Sequence, residues 1–282
     1  MSVPFRTLGL GGGGIKGILY IGALRELQKH QELYFPDGVY GSSVGAILAT
    51  YLAFGLALDM DAGQIFRTSS FIPEPDYSKL PEMISLKGVF TMDTLEKTLI
   101  SIFMQKGVDI RTKVIGDAKM PLYIFASNLT KGKPTIFTKN VPVLEALKCS
   151  CCIPGIFRPQ VLYDQVYVDG DLFVPSVDKF IPDTSNALCL SLKKHAKDVQ
   201  SFLPSTIEPM SPLTYVHDMY TLVTLNFFQQ VKKPCTLQLS YPNLTSTGDL
   251  SKFDIDDIFR TGSTALSRFL SSKSGNKEGA KV

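Results

Sequence analysis

Two glycine-rich turns, Gly11–Gly14 and Gly41–Gly45, each stand between a short apolar run and a longer segment of helical periodicity. Phe5–Leu10 leads into the first turn. Ile15–Gln31 follows it, with Ile18, Ile21, Leu24 and Leu27 at helical spacing and charges between them. Gly38–Tyr40 leads into the second turn, and Ala46–Leu58 follows as a helix that is apolar on most sides. Strand, tight turn and helix, twice in succession, predict an α/β protein: a three-layer α/β/α sandwich with a mostly parallel central sheet. With 44% hydrophobic and 20% charged residues, the chain has the apolar content to fill such a core.

Downstream, the segment from Asp59 to Thr112 is irregular, with prolines at 73, 75 and 81, and reads as a lid-like insertion containing a helix over Met92–Met104. Phe66, Phe71, Ile72, Met83 and Ile84 within it could rim an acyl pocket, rest on a membrane, or simply pack on the core. Leu122–Ala126 and Thr135–Thr138 form a hairpin around Thr130-Lys131-Gly132-Lys133. Val143–Cys152 is a helix halted by Pro154 and Gly155, and the strands Gln160–Tyr163 and Val166–Val168 deliver Asp169 to a turn. Ala187–Leu192 and Thr236–Ser240 read as strands, Leu213–Val231 as an apolar-faced helix between them, and Asp256–Leu270 as a last helix. Residues 5–180 thus form the core and 181–270 complete the same domain. Residues 271–282 are expected to be a disordered tail.

Several function classes are excluded early. A net charge of +3 is too mild for a nucleic-acid footprint. The five cysteines are odd in number, and Cys149, Cys151 and Cys152 crowd together, unlike a secreted disulfide framework. With only three His, none near that cluster, no metal site is expected, and no cofactor is called for. Met1–Leu10 lacks the layout of a signal peptide, and the longest apolar run, Ala46–Leu58, is shorter than the roughly 20 residues a spanning helix needs. The expectation is an intracellular, cytoplasmic protein that touches membranes transiently and from outside.

Gly41-Ser42-Ser43-Val44-Gly45 fits G-x-S-x-G, the nucleophile elbow. A serine at a sharp strand-to-helix turn is held in a strained conformation, and its hydroxyl meets the positive end of the following helix. The pattern alone recurs by chance; the strand before and apolar helix after it are the context it requires. Gly11-Gly12-Gly13-Gly14-Ile15-Lys16-Gly17 is the second motif. Consecutive glycines before a helix expose backbone N–H groups that can converge on an oxyanion, and Lys16 adds charge beside them. The same stretch satisfies G-x-G-x-x-G, but Asp37 precedes its strand instead of ending it, so the dinucleotide reading fails. A phosphate loop fails too, because Gly17 follows Lys16 where Ser or Thr is needed.

Together with Asp169-Gly170 and the segment Ala146-Leu147-Lys148-Cys149-Ser150-Cys151-Cys152-Ile153-Pro154-Gly155-Ile156-Phe157, these motifs resemble the patatin-like phospholipase family over about residues 7–175. The resemblance implies a Ser43–Asp169 dyad and an oxyanion hole from Gly12, Gly13 and Gly14 with Lys16 nearby. Gly17, Gly41, Gly45 and Gly170 act as motif support. It also implies metal-free hydrolysis of phospholipid or other acyl-lipid esters, with peripheral membrane contact. Three departures stand out: Gly11 where Asp is common, Asp171 where Gly or Ala usually follows, and Pro175-Ser176 where asparagines are frequent. Asp171 would repel Asp169 and make it a better base, while Cys149, Cys151 and Cys152 replace small residues and are expected to pack.

Two rivals remain open at this stage. A Ser–Asp–His triad esterase would draw its imidazole from His217, since His195 lies in a basic solvated stretch and His30 ends the first helix. The other is an inactive lipid-binding protein that kept the fold.

Overall fold

The computed structural model of the 282-residue chain describes residues 4–58, 81, 85–174, 176–193, 212–228, 233–245 and 250–278. The strands are β1 (Thr7–Leu10), β2 (Gly38–Ser42), β3 (Gly88–Phe90), β4 (Leu122–Asn128), β5 (Lys133–Phe137), β6 (Gly155–Phe157), β7 (Gln160–Leu162), β8 (Gln165–Val168), β9 (Ala187–Leu192) and β10 (Thr236–Leu239). The α-helices are α1 (Ile18–Gln28), α2 (Val44–Ala53), α3 (Asp93–Gln105), α4 (Val143–Ser150), α5 (Pro212–Phe228) and α6 (Ile255–Glu278).

The expected α/β architecture is present. The main sheet runs β10-β9-β1-β2-β4-β8-β7, with β5 also on β4. Pairings from β10 through β4 are parallel, while β5, β8 and β7 join antiparallel. Parallel strands are covered on both faces, and β1 accordingly is buried along its whole length. Helices α1 and α6 pack against one another so closely that Gly22 meets the Phe259 carbonyl and Gly262 the Leu19 carbonyl.

One feature of this sheet creates the site. β2 pairs with Leu122–Phe125 of β4, and β8 pairs with Ser127–Asn128 of β4 from the opposite direction. Since β5 occupies the other edge of β4 from Ile124 to Asn128, β2 and β8 share one edge. They therefore run head-on toward each other, and the residues that follow them, Ser43 and Asp169, meet.

Element limits differ from the sequence reading where local geometry intervenes. Gly14–Gly17 tightens into a single 3-10 turn, so α1 begins at Ile18. Helix α2 spans Val44–Ala53, not Ala46–Leu58, and a positive φ of 73° at Gly55 takes the chain away soon after it. Within the described part of the segment read as a lid, α3 packs on the core, burying Leu95, Leu99, Ile102 and Phe103, spaced to lie on one helical face. Phe66, Phe71, Ile72, Met83 and Ile84 lie outside the described residues. Helix α6 continues to Glu278, well into the stretch expected to be disordered, even though Ser271, Ser272, Ser274, Gly275 and Asn276 are weak helix formers; residues 279–282 lie outside the described residues. No helix among the described residues is long and apolar enough to cross a membrane.

Candidate active site

Ser43 stands between β2 and α2 with φ 53° and ψ −127°, a conformation that costs a non-glycine residue on the order of 1–3 kcal/mol. The surroundings hold it there. Its carbonyl accepts from Ala46 N at 2.8 Å, and its own N–H donates to Ser150 Oγ at 2.9 Å. Gly45 lets the turn close: a Cβ there would lie 2.2 Å from the Leu10 carbonyl oxygen and 2.6 Å from that of Gly11. The first glycine loop is thus packed onto the head of α2, beside the Ser43 hydroxyl.

Ser43 Oγ donates to Asp169 Oδ2 at 2.7 Å across 126 residues of sequence. Both side chains are buried. Asp169 is fixed through its backbone, whose N–H donates to the Cys152 carbonyl at 2.7 Å. The segment around Ser150 and Cys152 therefore braces both partners, one through a hydroxyl and the other through a carbonyl. On its second oxygen, Asp169 Oδ1 accepts from Asp171 N at 2.9 Å and from the Tyr220 hydroxyl at 3.2 Å. Two donors there favour the ionised carboxylate and leave Oδ2 turned to the serine.

Asp171 also makes contacts that the sequence did not indicate. Its carboxylate takes the Ser42 hydroxyl at 2.8 Å and lies against Gly12, where any Cβ would come within 2.3 Å of Oδ1. Its backbone N–H meanwhile supports the Asp169 charge. Gly170 packs on Ser42 Oγ and the Phe125 carbonyl, and Ser127 Oγ bridges the same loop, donating to Gly170 O and accepting from Phe173 N.

Gly13 and Gly14 have φ of 146° and 58°, turning successive peptide planes where the chain enters the 3-10 turn Gly14–Gly17. Gly12 is placed beside Asp171, and Gly41 lies within β2. Lys16 is buried and donates from Nζ to the Lys193 carbonyl at 3.0 Å, which ties it to the chain just beyond β9.

Tyr220 and Ser150 were missed as functional candidates. Ser150 had a signal, the Ala146–Phe157 segment, but its hydroxyl's direction had none. Tyr220 lies on α5, where, among the described side chains, Asp218, Thr221 and Thr224 are buried while Tyr215, Met219 and Val223 face solvent. Burial, then the nearby Asp169 charge, pushes the Tyr220 phenol well above its ordinary pKa, so it stays a donor at neutral pH. The side chain of His217 and all of His195 and Pro175 lie outside the described residues.

Cys149, Cys151 and Cys152 are buried, and burial raises all three thiols, that of Cys149 to about 12. They pack, as expected. Among the described residues no group of three or more His, Cys, Asp or Glu is placed to hold a metal.

The profile of a known family, patatin-like phospholipase, matches residues 8–175. The uncharacterized protein YqhO of Bacillus subtilis is 30% identical over 171 residues, which span 52% of this chain and 55% of that protein. A cGAMP-activated phospholipase of Vibrio cholerae is 25% identical over 198 residues, 59% of this chain and 54% of its own. A cUMP-AMP-activated phospholipase of Escherichia coli is 28% identical over 211 residues, 69% of this chain and 62% of its own. The matches thus span between about half and two thirds of these relatives. The crystal structure of VipD from Legionella pneumophila shares the fold, with a TM-score of 0.55 at 14% identity over 96% of this chain and 67% of that one. With the family profile covering more than half of its length, the chain belongs to the patatin-like phospholipase family.

Proposed function

We propose that the chain hydrolyses carboxylic esters of phospholipids, with Ser43 as nucleophile, Asp169 as its base and an acyl-enzyme intermediate. The observation that carries this reading is the 2.7 Å bond from Ser43 Oγ to Asp169 Oδ2 at a strained strand-to-helix turn. It is a direct contact, in the position an intervening imidazole would take in a triad. The lipid substrate is supported by the family and by relatives whose names state phospholipase activity.

In the first half-reaction, Asp169 Oδ2 takes the hydroxyl proton as Ser43 Oγ bonds to the ester carbon. The carbonyl electron pair moves onto oxygen, and backbone N–H groups of Gly12, Gly13 and Gly14, aided by the α2 N-terminus, stabilise it. Collapse breaks the ester C–O bond, and Asp169 returns the proton to the leaving alcohol. Water then gives a proton to Asp169 and adds to the acyl carbon. Fatty acid leaves as Ser43 recovers its proton.

A fluorophosphonate ester tests the nucleophile. Intact-mass spectrometry should show one adduct mapping to Ser43 in the wild type and none in Ser43→Ala. Asp169→Asn should label at least about a hundredfold more slowly. An adduct on another residue, or equal labelling of Asp169→Asn, contradicts the proposal.

A further inference from the structure

The geometry points to a membrane-docking surface at the paired tips of the β4–β5 and β7–β8 hairpins, fitted to an anionic phospholipid bilayer. This inference rests on the lipid-ester reading of Ser43 and supplies the surface through which such an enzyme would meet its substrate.

Both tips rise from the sheet edge that carries Ser43. β4 continues past the end of β2, pairing Ser127 and Asn128 with β8, before it turns at Leu129–Gly132. β7 and β8 turn at Tyr163 and Asp164, with Leu162 opposite Gln165. The tips are level and joined: Leu129 N donates to Val166 O at 2.8 Å, and Val166 N to Thr130 Oγ1 at 2.9 Å. The four extended residues of β8, Gln165–Val168, separate the turn from Asp169, so the tips stand about 13 Å beyond the Ser43–Asp169 level.

The chemistry at these tips is unusual for a solvent-facing hairpin. Val161 is 70% exposed and Tyr163 61%, with Leu129 also exposed. Lys131 and Lys133 are exposed beside them, and the one acid at the tips is Asp164. Tyr163 and Asp164 have φ of 50° and 56°, the left-handed pair of a two-residue hairpin turn that ordinarily calls for Asn-Gly. A bulky tyrosine at such a position costs energy that a glycine or asparagine would spare. That cost is retained together with an outward aromatic ring. Tyrosine, with an apolar body and polar end, suits the bilayer interface, while Lys131 and Lys133 match anionic headgroups and can spread their stems over apolar neighbours.

The test measures co-sedimentation of Ser43→Ala protein, which binds without turnover, with vesicles of phosphatidylcholine alone or with 30 mol% phosphatidylserine (~30%, a common anionic fraction). Val161→Ser with Tyr163→Ser should weaken binding to both vesicle types at least about tenfold. Lys131→Gln with Lys133→Gln should weaken binding to the anionic vesicles alone, by about fivefold per lysine. All of these changes in the wild-type background should leave hydrolysis of a soluble short-chain ester unchanged while lowering turnover of vesicle lipid. Vesicle binding indifferent to both pairs of substitutions overturns the docking surface. So does a wild type that ignores vesicles but sediments as a dimer lost in Tyr163→Ser, which would assign the tips to a second copy of the chain. Hydrolysis of soluble ester without vesicle binding removes the docking surface and leaves the proposed activity; vesicle binding without any hydrolysis does the reverse.

Discussion

The Ser42 hydroxyl donates to Asp171 Oδ1 at 2.8 Å, directly beside the 2.7 Å bond from Ser43 Oγ to Asp169 Oδ2. Consecutive serines are thus matched to carboxylates two residues apart, and only the second pair stands at the strained turn. We assign the first pair a positioning role: it clamps the end of β2 to the loop after β8 and sets a carboxylate against Gly12. A buried hydrogen bond to a charged group contributes about 1.5–3 kcal/mol. Ser42→Ala and Asp171→Ala should each destabilise on that scale, and the double variant should lose less than the sum, as denaturant titration would reveal. Additive losses would separate the two residues.

Tyr220→Phe should lower turnover by roughly tenfold or more, since it removes one donor from Asp169 Oδ1. The pH–rate profile discriminates between a direct and a structural effect. Around Asp169 stand Asp171, Cys151, Cys152 and Tyr220, and the phenol is a neutral donor that favours the ionised carboxylate. Without it, the acid limb should move to higher pH. A uniform drop with an unmoved limb would mark Tyr220 as a packing residue.

Gly45→Ala should lower stability by about 1–3 kcal/mol, because its methyl group would fall on two backbone carbonyls that cannot swing aside. A thermal melt checks this. An unchanged melting temperature would show that the glycine loop is not pressed onto α2.

Glu26 joins α1 to α6 through Ser263 Oγ at 2.7 Å. Hydrogen bonds from Lys29 and then Ser263 hold its carboxyl below the ordinary glutamate range. A depressed folded-state pKa gives stability that is present above the unfolded value and is lost as pH falls through the folded one. Glu26→Gln should therefore be less stable than wild type at pH 7 by about 1 kcal/mol, with the gap closing below about 4.5. A gap that persists at pH 3 would assign the effect to packing.

The two glycine turns and Ser43 were legible in the sequence because short-range sterics and strand–turn–helix context fix them, whereas Asp169 was legible only through the family resemblance that Asp169-Gly170 helps to carry. Their meeting was not, since it depends on β2 and β8 sharing one edge of β4. Asp171 was noticed, yet its role depends on Ser42, whose side-chain direction no pattern records. Tyr220 escaped because an apolar helix is expected to bury its apolar side, whereas α5 buries Asp218, Thr221 and Thr224. Helix α3 was legible as a helix, but its proline-rich approach suggested a lid, and only packing shows that Leu99 and Phe103 are core.

The most direct test of the dyad is fatty-acid release from phospholipid mixed micelles by the wild type, Ser43→Ala, Asp169→Asn and His217→Ala. The account predicts release by the wild type, a fall of at least about a thousandfold in Ser43→Ala and Asp169→Asn, and near wild-type release in His217→Ala. Activity that survives in Asp169→Asn, or that is lost with His217→Ala in a folded protein, would contradict it.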